Sequence, residues 1–134
     1  MNKFFYVGLI GIVFLFLSCC KNEEKNALKI GKITEIKFGK TVTNSQYGLS
    51  LRVEEINDSR CPIGVMCFWE GSAWVKFHLT TKNEKYNFSL EKHLDSVKDT
   101  VIESIKCQLI DVLPYPDVTK KQPKQTVKIL VKIQ

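Results

Sequence analysis

The sequence predicts an all-β domain: an antiparallel β-sandwich of about six to seven strands with one disulfide-stapled loop. Three observations point there. Apolar and polar residues alternate in several separate runs, the pattern of strands with one face in a core and one in water. Turn-forming residues fall between those runs, and no stretch keeps the longer period of an amphipathic helix. The 107 residues from Leu28 to Gln134 suffice for one hydrophobic core and are too few for two. A small β-barrel is the alternative, but the runs are less even in length than a closed barrel calls for.

The elements follow in chain order. Ile33 to Val42, with Ile36, Phe38 and Val42, reads as a first irregular strand in which Gly39 suits a bulge or bend. Asn44-Ser45-Gln46-Tyr47-Gly48 is turn sequence. Leu49, Leu51 and Val53 then alternate with Ser50, Arg52 and Glu54. Ala73, Val75, Phe77 and Leu79 alternate with Trp74, Lys76, His78 and Thr80. Tyr86, Phe88 and Leu90 do the same with Lys85, Asn87 and Ser89, and Thr81-Lys82-Asn83-Glu84 between these two runs reads as a hairpin turn. Leu90 to Thr100 is ambiguous, since Leu94 and Val97 would also suit a helical turn.

Ile105, Cys107 and Leu109 open another strand, but Ile110 and Val112 make its second face apolar as well. Such a strand is either covered on both sides or bulged midway. Pro114-Tyr115-Pro116 ends it, because proline has no N–H to give a ladder. Val118 to Gln125 is a polar loop, and Val127, Ile129, Val131 and Ile133 form the last strand. Pro114 to Gln134 holds five lysines against Asp117 alone. That excess is either a patch for anionic lipid, lipopolysaccharide or an acidic partner, or the lysine guard of an edge strand. The edge strand is the preferred reading.

Residues 1–18 stand apart from this domain. Lys3 supplies one positive charge, and Phe4 through Leu17 run fourteen residues without charge or proline. That run is short of the ~20 apolar residues that cross a bilayer and matches the apolar region of a signal peptide. Leu17-Ser18-Cys19-Cys20 resembles the lipobox of bacterial lipoproteins, with Ser18 as the small residue before the cut and Cys19 as the lipidated residue. Cys20 is the alternative acceptor. Residues 19–27, including Lys21-Asn22-Glu23-Glu24-Lys25-Asn26, read as a flexible tether, polar and lacking β-branched or aromatic side chains. The lipobox resemblance implies a lipid-anchored protein of the bacterial outer membrane, periplasmic or surface-exposed. The full chain carries a net charge of +6, and removal of Lys3 with the signal leaves +5, a modest excess that bears on association and not on fold.

Disulfides persist in such an oxidising compartment. Cys61 and Cys67 are the natural pair, and closing so short a loop stabilises by about 2 kcal/mol on the chain-entropy model. Cys107 is left over on an apolar strand face, as a core thiol. A zinc site from Cys61, Cys67 and a histidine is disfavoured, because structural zinc uses closer cysteine pairs.

The segment from Asn57 to Ala73 is the most distinctive in the chain. Asp58-Ser59-Arg60-Cys61-Pro62, then Val65, Cys67, Trp69, Gly71 and Ala73, resembles the pattern of an uncharacterised family of small bacterial secreted or lipidated β-domains, as does the later Leu113-Pro114-Tyr115-Pro116. The resemblance implies an all-β domain and the disulfide, and no activity. Two readings of the loop stand. In one, the disulfide and Trp69 form a small satellite core and Arg60 pairs with Asp58 or Glu70. In the other, Arg60, Met66, Phe68, Trp69 and Glu70 meet a partner, since aromatic residues, methionine and arginine are enriched at interfaces and a stapled loop loses little entropy on binding.

Other chemistry is thin. The two histidines, His78 and His93, fall on a wet strand face and in a polar loop, and neither a Gly-x-Ser-x-Gly elbow nor a His-Glu-x-x-His helix is present. Neither an enzyme, a cofactor nor a metal site is expected, and an exported chain without a basic-aromatic platform is not expected to bind nucleic acid. The expected function is a non-catalytic, membrane-anchored binding module for a protein or polymer partner, of inhibitor or immunity type among other variants. The alternative is a structural or assembly subunit of an envelope complex.

Overall fold

The computed structural model describes residues 26–93, 96 and 98–134. The expected signal peptide, Cys19 and Cys20, most of the expected tether, and the Leu94 and Val97 of the ambiguous stretch lie outside the described residues. Eight strands follow in order: β1 (Ile33–Lys37), β2 (Thr41–Asn44), β3 (Leu49–Asp58), β4 (Ala73–Thr80), β5 (Lys85–Lys92), β6 (Asp99–Ile102), β7 (Ile105–Leu113) and β8 (Thr126–Ile133). They form two four-stranded antiparallel sheets, ordered β2-β3-β4-β5 and β1-β8-β7-β6, so the chain is a sandwich and not a closed barrel.

Alternation in the sequence becomes the core. Leu51, Val53, Val75, Phe77 and Leu79 face inward from one sheet, and Cys107, Leu109, Val127, Ile129 and Val131 from the other, all essentially without solvent contact. Leu28 joins them from the entering chain, where the Asn44 side-chain amide donates to its carbonyl. Every strand and every described core residue lies between Leu28 and Ile133, so the chain from Asn26 onward holds the whole described fold.

The strand count exceeds the expected six to seven for two local reasons. Gly39, at φ +73°, breaks the Ile33–Val42 run, and its halves join different sheets as β1 and β2. Asp99–Ile102 forms the short β6, turned into β7 at Glu103 and Ser104, both in the left-handed region. The doubly apolar strand resolves as a bulge. The β7–β8 register shifts between Leu109 and Asp111, so Ile110 stays half-buried while Leu109 and Val112 both reach the core. The last strand corrects the edge reading: β8 lies between β1 and β7, with a hydrogen-bonded partner on each side.

β3 runs toward the stapled loop, and the sandwich therefore has a loop-bearing end. The entering chain is oriented by the same frame. Asn26 to Leu28 runs parallel to β2, with the Thr43 N–H donating to the Asn26 carbonyl and the Leu28 N–H to the Thr43 carbonyl. Thr43 stands opposite Ser50, and Ser50 opposite Thr80, so the chain enters beside the end of the sandwich remote from the stapled loop.

Candidate functional site

The stapled segment is the connection between β3 and β4, built as an extension of their hairpin. Beyond the last strand pair, Asp58 with Ala73, the ladder continues through Ser59 N–H to the Ser72 carbonyl (2.8 Å) and Cys61 N–H to the Glu70 carbonyl (2.9 Å). Gly71 makes this closure fit. Its φ is +68°, and a Cβ there would stand 1.9 Å from the Ser59 carbonyl oxygen. The Ser72 hydroxyl donates to Glu91 on β5 (2.6 Å), which holds that carboxyl below its ordinary value.

Two further ties stiffen the outer part. Cys61 and Cys67 are disulfide-bonded, with Cα atoms 5.9 Å apart, as the sequence leads one to expect. Ile63 then bridges to the 114–125 loop: its N–H donates to the Pro116 carbonyl (2.9 Å) and its carbonyl accepts from Val118 N–H (3.3 Å). That second loop is itself fixed by Asp117, whose carboxylate accepts from the Thr119 hydroxyl and N–H and is held below the ordinary carboxylate range by them.

At the tip, Met66 is 98% exposed, Phe68 99% and Trp69 84%, with Ile63 and Val65 about half exposed beside them and Val118 exposed on the bridged loop. Trp69 thus takes no part in a satellite core. Met66, Phe68, Trp69 and Glu70 are brought together as an outward-facing group on a braced hairpin.

Arg60 departs from that group. It is 5% exposed, because its guanidinium is taken up between the sheets. Two donors reach Asp58 (Nε at 2.8 Å and Nη2 at 2.6 Å), Nη1 meets Asp111 on β7 at 3.3 Å, and Nη2 also donates to the Val112 carbonyl (2.7 Å). Tyr115 lies 4.4 Å from the guanidinium carbon, ring face toward it. Burial works against this charge, but the Asp58 and Asp111 carboxylates outweigh it and hold the Arg60 pKa above its ordinary value. The pairing with Asp58 matches the structural reading of the sequence. Glu70 is not the second partner: its side chain is exposed, and Asp111 takes that place. An isolated acid in the apolar run Leu109-Ile110-Asp111-Val112 is the sequence signal that marks it.

Beside the hairpin base, Phe38, Asp58, Pro114, Pro116 and Pro123 border an open groove of about 550 Å³. The periodicity of the chain gave no hint of it, since Phe38 and the prolines meet only through the sandwich.

The remaining candidate groups are dispersed. Cys107 is fully buried, and burial pushes its thiol up to about 12. His78 Nδ1 hydrogen-bonds Asn87 across β4 and β5 at 2.7 Å, while His93 stands 3.4 Å from Glu91. Among the described residues, no three His, Cys, Asp or Glu side chains gather as a metal site. No family model, no curated protein and no solved structure matches the chain.

Proposed function

We propose that this chain is a lipoprotein of the bacterial outer membrane, lipid-anchored at Cys19 (or Cys20), acting as a non-catalytic binding module. Its contact element is the stapled hairpin tip, Met66, Phe68 and Trp69 with Glu70. The observation that carries the reading is the near-complete exposure of three large apolar side chains on a hairpin braced by a disulfide, a ladder extension and the Ile63 bridge. Isolated exposed apolar residues are ordinary, whereas a cluster on a rigid support marks an interaction site. Rigidity also lowers the entropy cost of binding. Arg60 belongs to the support of this element and not to its surface. A protein or polymer partner fits this reading, inhibitor and immunity actions included, and neither a cofactor nor a nucleic acid enters it.

The test is affinity capture from envelope extracts with the chain starting at Asn26, comparing wild type with Phe68→Ala and Trp69→Ala. The expected outcome is a specific bound component that both substitutions remove while circular dichroism stays unchanged. Capture that survives both substitutions would exclude the tip as the contact element.

A further inference from the structure

The shape and surroundings of the tip narrow what it meets. Met66, Phe68 and Trp69 stand almost fully in solvent at the end of a braced hairpin. We infer that the tip is a membrane-insertion element, seated in the interfacial layer of an anionic bilayer with Phe68 and Met66 toward the acyl chains and Trp69 at headgroup level. The inference rests on the reading of the tip as the contact element and assigns its occupant as a lipid surface.

Two features carry it. The first is residue chemistry: tryptophan is at home where one side is apolar and the other wet, and apolar groups reach about 5–10 Å into the interface in peripheral proteins. The second is charge. Val118 is hydrogen-bonded to Ile63 at the side of the tip, and the exposed Lys120, Lys121 and Lys124 follow it in the same loop. An apolar point with lysines behind it is complementary to acyl chains beneath anionic headgroups. Inserting the tip would set the orientation of the sandwich on the membrane.

The experiment uses the chain from Asn26 to Gln134, without lipid, carrying Trp74→Phe so that Trp69 is its one indole. The probes are vesicles of phosphatidylcholine alone and of phosphatidylcholine mixed with phosphatidylglycerol. With mixed vesicles, Trp69 emission is expected to shift to the blue and to be quenched by brominated acyl chains, and the protein to co-sediment. Replacing Met66 and Phe68 together by alanine should lower the partition coefficient about tenfold or more, with an unchanged dichroism spectrum. Lys120→Glu with Lys121→Glu should remove the preference for the mixed vesicles, each lysine at the surface contributing on the order of fivefold.

Absence of both sedimentation and emission shift overturns the inference. If the same chain then captures an envelope protein or polymer through Phe68 and Trp69, the binding-module reading stands with a different occupant. Vesicle binding that ignores the tip substitutions overturns the inference and counts against the tip as contact element.

Discussion

The guanidinium of Arg60 joins acids from opposite sheets, Asp58 at the end of β3 and Asp111 in the bulged part of β7. Removing it strands the Asp58 carboxylate, which is only 5% exposed at its side chain. Arg60→Met is therefore expected to cost about 3 kcal/mol or more in urea denaturation. Arg60→Lys should recover little of that, since an ammonium reproduces neither the forked contact nor the stacking on Tyr115. The Asp58 partnership was legible from a spacing of two residues. The Asp111 partnership was not, because it depends on how two sheets meet.

Cys107 makes the second prediction at this scale. Its thiol should resist alkylation in the folded chain at about pH 8 and react readily in urea. Above 9.0, the ordinary thiol value, the unfolded chain loses this proton while the folded chain keeps it up to about 12. Stability should accordingly fall as pH rises through that window, and Cys107→Ala should flatten the fall.

Among the elements, the β3–β4 hairpin depends on one backbone position. Gly71→Ala would force a side chain into the left-handed region and against the Ser59 carbonyl, and is expected to destabilise by about 2 kcal/mol or more in thermal melts. Reducing the disulfide should cost a similar amount, about 2 kcal/mol, while leaving the sheet dichroism intact, because the ladder below it survives.

The main strands were readable from alternation because each buries one face. β6 escaped notice since Asp99, Thr100, Val101 and Ile102 are too few for a period to show, and none is fully buried. The division of β1 from β2 was foreshadowed by Gly39, but their transfer to different sheets is a tertiary fact. The stapled loop has no period at all. That is why its sequence, though it favours a buried Trp69 in a satellite core, leaves the exposed reading open.

At the scale of the molecule, Phe77 and Phe68 mark the two extremes of aromatic burial among the described residues. Phe77 is fully buried and packs its ring against Phe88 with centroids 5.3 Å apart, whereas Phe68 touches water nearly all round. Phe77→Ala should cost about 3–5 kcal/mol, and Phe68→Ala and Met66→Ala should each stay within about 0.5 kcal/mol of wild type. Comparable losses from tip and core would mean that the tip is packed, contrary to its exposure.

The central place of β8 also bears on when the domain can assemble. β1, the first strand made, finds its one sheet neighbour in the last strand made, and β7 needs the same partner on its other side. The β1-β8-β7-β6 sheet therefore stays incomplete until Thr126–Ile133 has left the ribosome. Contacts so distant along the chain form slowly. A delay of that kind leaves β1 without its sheet partner through most of synthesis and defers closure of the core until the last strand has been made.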